Sequence, residues 1–196
     1  MTALSEPEKD TEGRTADPIA DRLMSARKII ICEAIDQKMA KRVSAQLLAM
    51  ADESDAPITM FINSQGGHVE AGDTIHDIVQ FIKPKVRMIG TGWVASAGTH
   101  IFLAADKGNR YCLPNTRFLI HQPSGGVGGK VSDIEIQAEQ IEKMRERLAQ
   151  IISATTGTDI DTVRKDIERD KWMNTDEAKA YGILSKVIRS EADIPA

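Results

Sequence analysis

What this chain of 196 residues lacks narrows its chemistry before any motif is read. It has two cysteines, Cys32 and Cys112. Both fall in strand-like apolar runs, so they are expected as buried thiols rather than as a disulfide. No apolar run approaches the roughly 20 residues of a membrane span, and the first residues lack the apolar core of a signal peptide. A reducing cytosol is therefore the expected location. Positive charge is not in excess: 25 Lys and Arg stand against 29 Asp and Glu, a formal net charge of −4, and the basic residues form no stripe. Nucleic acid and anionic membrane surfaces are accordingly not expected as partners. The four histidines do not combine with cysteines or carboxylates at metal-ligand spacing. The glycine run Gly125-Gly126-Val127-Gly128-Gly129 carries no lysine and threonine at P-loop spacing, so neither a metal nor another cofactor is expected. There is no internal repeat.

What is present is ordinary for a globular chain, with 41% hydrophobic and 28% charged residues. Met1 to Asp17 is acidic and aperiodic and reads as a mobile tail; residues 18–196 read as a single domain. KIIIC at Lys28 to Cys32 predicts a buried strand. Asp36 caps a helix with Met39, Val43, Leu47 and Met50 at helical spacing. Pro57 opens a strand at Ile58 to Ile62, followed by Gly66-Gly67 and a helix over Val69 to Ile82. Lys85 to Thr91 predicts a strand, Ser96 to Ala105 a buried helix, and Arg110 to Leu113 and Arg117 to Ile120 two short strands. Ser132 and Glu135 match a capping box for a long helix to about Thr155, ended by Gly157. Thr158 with Asp161 starts a helix to about Arg169. Asn174 and Glu177 cap another, and Ile183 to Ile188 closes as a strand. Alternating strands and helices predict βαβ units and a mostly parallel sheet of the α/β class. The long helix exceeds what a compact core requires and implies packing against another subunit.

Ser96 stands where a strand run meets a helix run, so its hydroxyl lies at a helix N-terminus that favours developing negative charge. A serine in that position ordinarily serves as a cap; the same position suits a nucleophile whose reaction passes through an oxyanion. His121 follows the buried run RFLI, and strand ends of α/β sheets open onto ligand crevices. A histidine there is a candidate base, with activity expected to fall below about pH 6.5, where a free imidazole protonates. Asp170 follows a helix and precedes Trp172, where a carboxylate can hold a histidine tautomer; Asp166 and Glu168 compete for that role. His100 lies one turn past Ser96 and reads as a packed core residue. Gly66-Gly67 permits close backbone approach or an ordinary tight turn. Gly125 to Gly129 reads as a flexible flap beside the site.

Three segments, NSQGGHVEAGDTIHD, GTGWVASAGTHIFLAADKGNRYCLPNTRFLIHQPSGG and IERDKWMNTDEAKAYGIL, occur in the order and spacing of one family. From about Leu23 to Ile188 the chain resembles the ClpP family of serine peptidases, the proteolytic subunits of energy-dependent Clp proteases. The resemblance implies Ser96 as nucleophile, His121 as base and Asp170 as the acid that orients it, with the N–H groups of Gly67 and Ala97 as oxyanion hole. It implies a crotonase-like α/β superhelix with a protruding handle at about 122–155. It further implies two stacked heptameric rings joined through the handle, with Arg169 pairing across the rings, and an AAA+ unfoldase that spends the ATP and feeds in unfolded polypeptide.

The chain departs from that pattern at Gln65 and His68, at Trp93, Thr99 and His100 around the serine, and at Thr59 and Phe61 in the unfoldase-docking pocket, where Phe81 is kept. An acidic tail replaces the apolar axial segment. These departures fit a divergent paralogue working in a mixed ring. Two rival readings stand beside peptide hydrolysis: a ring subunit with a structural role, and an acyl-CoA hydratase or isomerase, which needs paired acids and a CoA pocket but not Ser96 with His121.

Overall fold

The computed structural model describes residues 17–126 and 128–195. The expected tail lies outside those residues apart from Asp17, whose carboxylate caps α1 (Pro18–Ser25) by accepting from the Ile19 and Ala20 amides. The elements then alternate: β1 (Lys28–Ile31), α2 (Gln37–Glu53), β2 (Ile58–Ser64), α3 (Val69–Phe81), β3 (Val86–Ala95), α4 (Ala97–Phe102), β4 (Arg110–Cys112), β5 (Arg117–Ile120), α5 (Val131–Thr156), α6 (Ile160–Asp166), β6 (Lys171–Met173), α7 (Thr175–Tyr181) and β7 (Lys186–Val187). The strands β1-β2-β3-β4-β7 lie side by side and all parallel. This is the α/β sheet that the strand-helix alternation predicts, because parallel neighbours need a crossover between them. Among the described residues no helix is long and apolar enough to cross a membrane.

The core explains why the frame is stiff. Ile29, Ile31, Met60, Ile62 and Met88 of the sheet join Val43, Leu47 and Met50 of α2, Ile75 of α3 and Phe102 of α4 in one apolar cluster. Each such side chain withdrawn from water stabilises the fold by about 1.5–3 kcal/mol. Helix α4, only 6 residues long, is buried at every position.

Strand β3 is longer than its apolar run predicts and continues past Thr91 to Ala95. Its first half pairs with β4, Met88 to Gly90 against Arg110 to Cys112; its second half pairs with β5, Trp93 to Ala95 against Arg117 to Leu119. Gly92, at φ 58°, turns the strand between the two. A Cβ there would meet Asn63 Oδ1 at 2.6 Å, so the turn requires glycine. β6, which the sequence analysis does not predict, pairs antiparallel with β5.

Several local expectations change. The Ser132–Glu135 capping box does not form: α5 starts at Val131 with Lys130 at its cap, which places Ser132 inside the first turn. Asp159, not Thr158, caps α6 by accepting from the Asp161 and Thr162 amides, and the helix stops at Asp166 instead of reaching Arg169. The Asn174–Glu177 capping box is present. Cys112 is buried, but Cys32 is exposed because β1 ends at Ile31. Helix α5 divides in two: Val131 to Gln140 is exposed on every side, whereas Ala149, Ile152 and Thr156 are buried. Its first half therefore projects from the fold.

Candidate active site

Strand β3 delivers Ala95 directly into Ser96, and α4 begins at the next residue. Ser96 has φ 57° and ψ −121°, a left-handed conformation that costs a residue with a Cβ about 1–3 kcal/mol. The conformation is held from several sides. The Ser96 N–H donates to the Leu119 carbonyl at 3.0 Å, and the Thr99 hydroxyl bonds the carbonyls of Val94 and Leu119 at 2.7 and 2.8 Å. The Ser96 side chain makes no capping bond to its own helix. Its Oγ lies instead 2.7 Å from His121 Nε2.

His121 is the first residue beyond β5, and its Nδ1 lies 2.9 Å from Asp170 Oδ1. With Nδ1–H donating to the carboxylate, Nε2 is left as acceptor for the serine proton. The ladder between β5 and β6 sets this meeting, since Ile120 opposes Lys171 and the next pair outward is His121 and Asp170. The early end of α6 releases 167–170 to reach that position. Gln122 fastens the two segments: its N–H donates to the Ile167 carbonyl at 2.6 Å and its amide to the Glu168 carbonyl at 3.0 Å. The competing acids are engaged elsewhere. Asp166 accepts from Lys171 and from the Tyr181 hydroxyl at 2.9 and 3.0 Å, and Glu168 pairs with Arg145 at 2.6 Å.

Gly66 and Gly67 pack onto the same corner. Ile35 donates to the Gly66 carbonyl at 3.0 Å and accepts from the His68 N–H at 2.8 Å, a parallel bridge that turns the Gly67 N–H to the opposite side. A Cβ on Gly66 would lie 2.6 Å from Ser96 Cβ, and one on Gly67 would lie 2.2 Å from the Ile35 carbonyl oxygen. Nothing larger than hydrogen fits at either position. The Ala97 N–H, in the first turn of α4, has no carbonyl within its own helix to bond. The Gly66-Gly67 and Ala97 backbone segments therefore flank Ser96.

The remaining candidates separate. Arg169 is exposed beside Asp170. Gly125, Gly126, Gly128 and Gly129 lie outside any strand, and Val127 lies outside the described residues. His68 Nδ1 pairs at 3.5 Å with Glu70 on the surface. His100 is buried in a packed stack: its ring lies 4.4 Å from that of His76 at 5° between planes, and its Nε2 approaches Asp73 Oδ1 at 2.9 Å. A cavity of about 30 Å³ lies against Ser96 and His121 and is lined in part by Asp73, His100 and Arg147. The sequence reading passes over Asp73 and Arg147, although Asp73 and His76, like Val69 and Asp73, stand at helical spacing and share a face.

Comparison with known proteins adds an independent line. The model of a family described as Clp protease matches residues 11–191. The ATP-dependent Clp protease proteolytic subunit 3 of Rhizobium johnstonii is 56% identical over 172 residues, 88% of this chain and 89% of that one. Subunit 2 of Pseudomonas aeruginosa is 50% identical over 185 residues, 94% of this chain and 92% of its own. Among solved structures, ClpP1 from Listeria monocytogenes superposes with a TM-score of 0.82 at 48% identity, covering 90% of this chain and 99% of its own.

Proposed function

The chain belongs to the Clp protease family, and on that premise we propose that it is a serine endopeptidase working through Ser96, His121 and Asp170. The observation that carries this is the unbroken relay from Ser96 Oγ to His121 Nε2 at 2.7 Å and from His121 Nδ1 to Asp170 Oδ1 at 2.9 Å. His121 takes the serine proton as Oγ attacks the scissile carbonyl, and the carboxylate of Asp170 holds the resulting imidazolium. The Gly67 and Ala97 N–H groups receive the oxyanion, each worth on the order of 10²–10³ in rate. His121 then returns the proton to the leaving amine, and water releases the acyl group by the same steps reversed. The substrate backbone pairs with the Gly125–Gly129 edge, a mode that reads main chain more than side chains.

This chemistry needs no metal or organic cofactor; ATP is spent by a partner AAA+ unfoldase. The projecting half of α5 leaves the apolar side chains of Val131 and Ile136 73% and 55% exposed, and a second copy of the chain, or a paralogue, would cover them. Two stacked heptameric rings joined through this helix and through Arg169, enclosing the sites in a chamber in the cytoplasm, complete the proposal. The test is fluorophosphonate labelling of the assembled protein with a fluorogenic peptide assay. A single adduct on Ser96 and loss of turnover in Ser96→Ala are expected. An unlabelled Ser96, with equal turnover in the alanine variant, would return the chain to a structural ring role.

A further inference from the structure

The cavity beside Ser96 is chemically mixed. Val69, Leu148 and Ile151 give it apolar lining, yet Asp73, His100 and Arg147 line it as well. Those three are one assembly drawn from three helices. Asp73 of α3 meets His100 Nε2 of α4 through one oxygen and the Arg147 guanidinium of α5 through the other. His100 is buried and stacked on the His76 ring, and among the described residues neither its Nδ1 nor its Nε2 makes a well-aligned hydrogen bond, the Nε2 lying close to Asp73 without one. Arg147, half exposed and paired with Asp73, borders the cavity on its solvent side. Burial by itself would raise the Asp73 pKa, but its contact with His100 and the charge of Arg147 prevail, and the carboxyl sits below its ordinary value. A fixed carboxylate thus faces the space next to the reacting serine.

We propose that Asp73, His100 and Arg147 are specificity-determining residues, selecting beside the cleaved bond a side chain with an apolar stem and a hydrogen-bonding end over an apolar one of equal length. This rests on Ser96 being the nucleophile. An apolar side chain filling the cavity strips water from Asp73 and Arg147 and returns no hydrogen bond, whereas an amide end donates to the carboxylate and accepts from the guanidinium. A cationic end is disfavoured, since Arg147 already neutralises Asp73. Sites built on such polar contacts discriminate more sharply than apolar pockets do.

The experiment uses three fluorogenic peptides differing only in the residue on the acyl side of the cleaved bond, glutamine, methionine or lysine. The assembled wild type, Asp73→Leu and Arg147→Met are compared by kcat/KM, with Ser96→Ala as the blank. Because each enzyme is its own reference, altered assembly cancels in the glutamine-to-methionine ratio. That ratio is expected to fall about tenfold or more in Asp73→Leu and several-fold in Arg147→Met. Should Asp73→Leu fail to assemble, Arg147→Met decides alone, its side chain being on the surface. A ratio within about twofold of wild type, or a wild-type preference for lysine over glutamine, overturns the inference and leaves the peptidase intact. No Ser96-dependent cleavage of any peptide overturns the peptidase reading and this inference with it.

Discussion

His121 and Asp170 face each other one step beyond the last pair of an antiparallel ladder, Ile120 against Lys171, with Nδ1 and Oδ1 2.9 Å apart. Backbone pairing thus sets the approach of base and acid, although Asp170 is more than half exposed. Asp170→Asn keeps the shape but offers an amide that can present N–H to Nδ1 and favour the wrong tautomer. In the proposed mechanism kcat should fall by about 10³–10⁴ with KM little changed. Steady-state peptide hydrolysis checks this, and a variant within tenfold of wild type would assign His121 its tautomer from elsewhere.

Much of the site is legible in the sequence because it sits at element boundaries that composition marks. Ser96 falls between apolar runs of different period, and His121 closes RFLI. What brings His121 to Asp170 was not legible. β6 is 3 residues, Lys171-Trp172-Met173, too short to show a period of two, and its partner lies some 50 positions away in sequence. The extension of β3 to Ala95 was hidden for a different reason. Gly92 and Asn63 make a turn inside the strand, which in sequence reads as the strand's end. Cys32 shows the reverse error, an apolar run continued one residue past the last paired position.

Gly67 offers a test of how tightly the proposed oxyanion hole is built. An alanine Cβ would lie 2.2 Å from the Ile35 carbonyl oxygen, on a backbone with φ 154°, so the segment itself must shift. Gly67→Ala is therefore expected to lower kcat by about 10²–10³, the value of one donor. Fluorophosphonate labelling of Ser96 should slow in parallel, since that reaction also builds negative charge on oxygen. Labelling at the wild-type rate would remove Gly67 from the hole.

The two thiols should behave as opposites. Cys32 is exposed, whereas Cys112 is fully buried and burial raises its pKa to about 11, keeping it protonated at neutral pH. Since the thiolate is the reactive form, a maleimide is expected to modify Cys32 alone in the native chain and both in denaturant. Mass spectrometry of the labelled peptides reads the result directly. Rapid native labelling of Cys112 would show that β4 opens far more readily than its buried position implies.

The stacked histidines predict an acid-sensitive fold. Burial, with the neighbouring His100 charge adding to it and the Asp77 contact opposing, holds His76 below the ordinary histidine value. Asp73, Asp77 and His100 are the charged or titratable groups acting on it, with Arg147 behind Asp73. A pKa lower in the folded than in the unfolded state means that the unfolded chain takes up this proton first as pH falls. Stability is complete above the unfolded value of about 6.5 and is lost from there down to the folded value. Asp73 has the same sign in a separate window, its stabilisation present above about pH 3.9 and lost below it. His76→Phe retains an aromatic ring against His100 and removes only the first window. Its Tm should therefore decline less than that of wild type between about pH 7 and pH 5, and the two should converge in slope below. Equal declines above pH 5 would mean that His76 takes up its proton in the folded chain as readily as in the unfolded one, and that the stack does not resist charge.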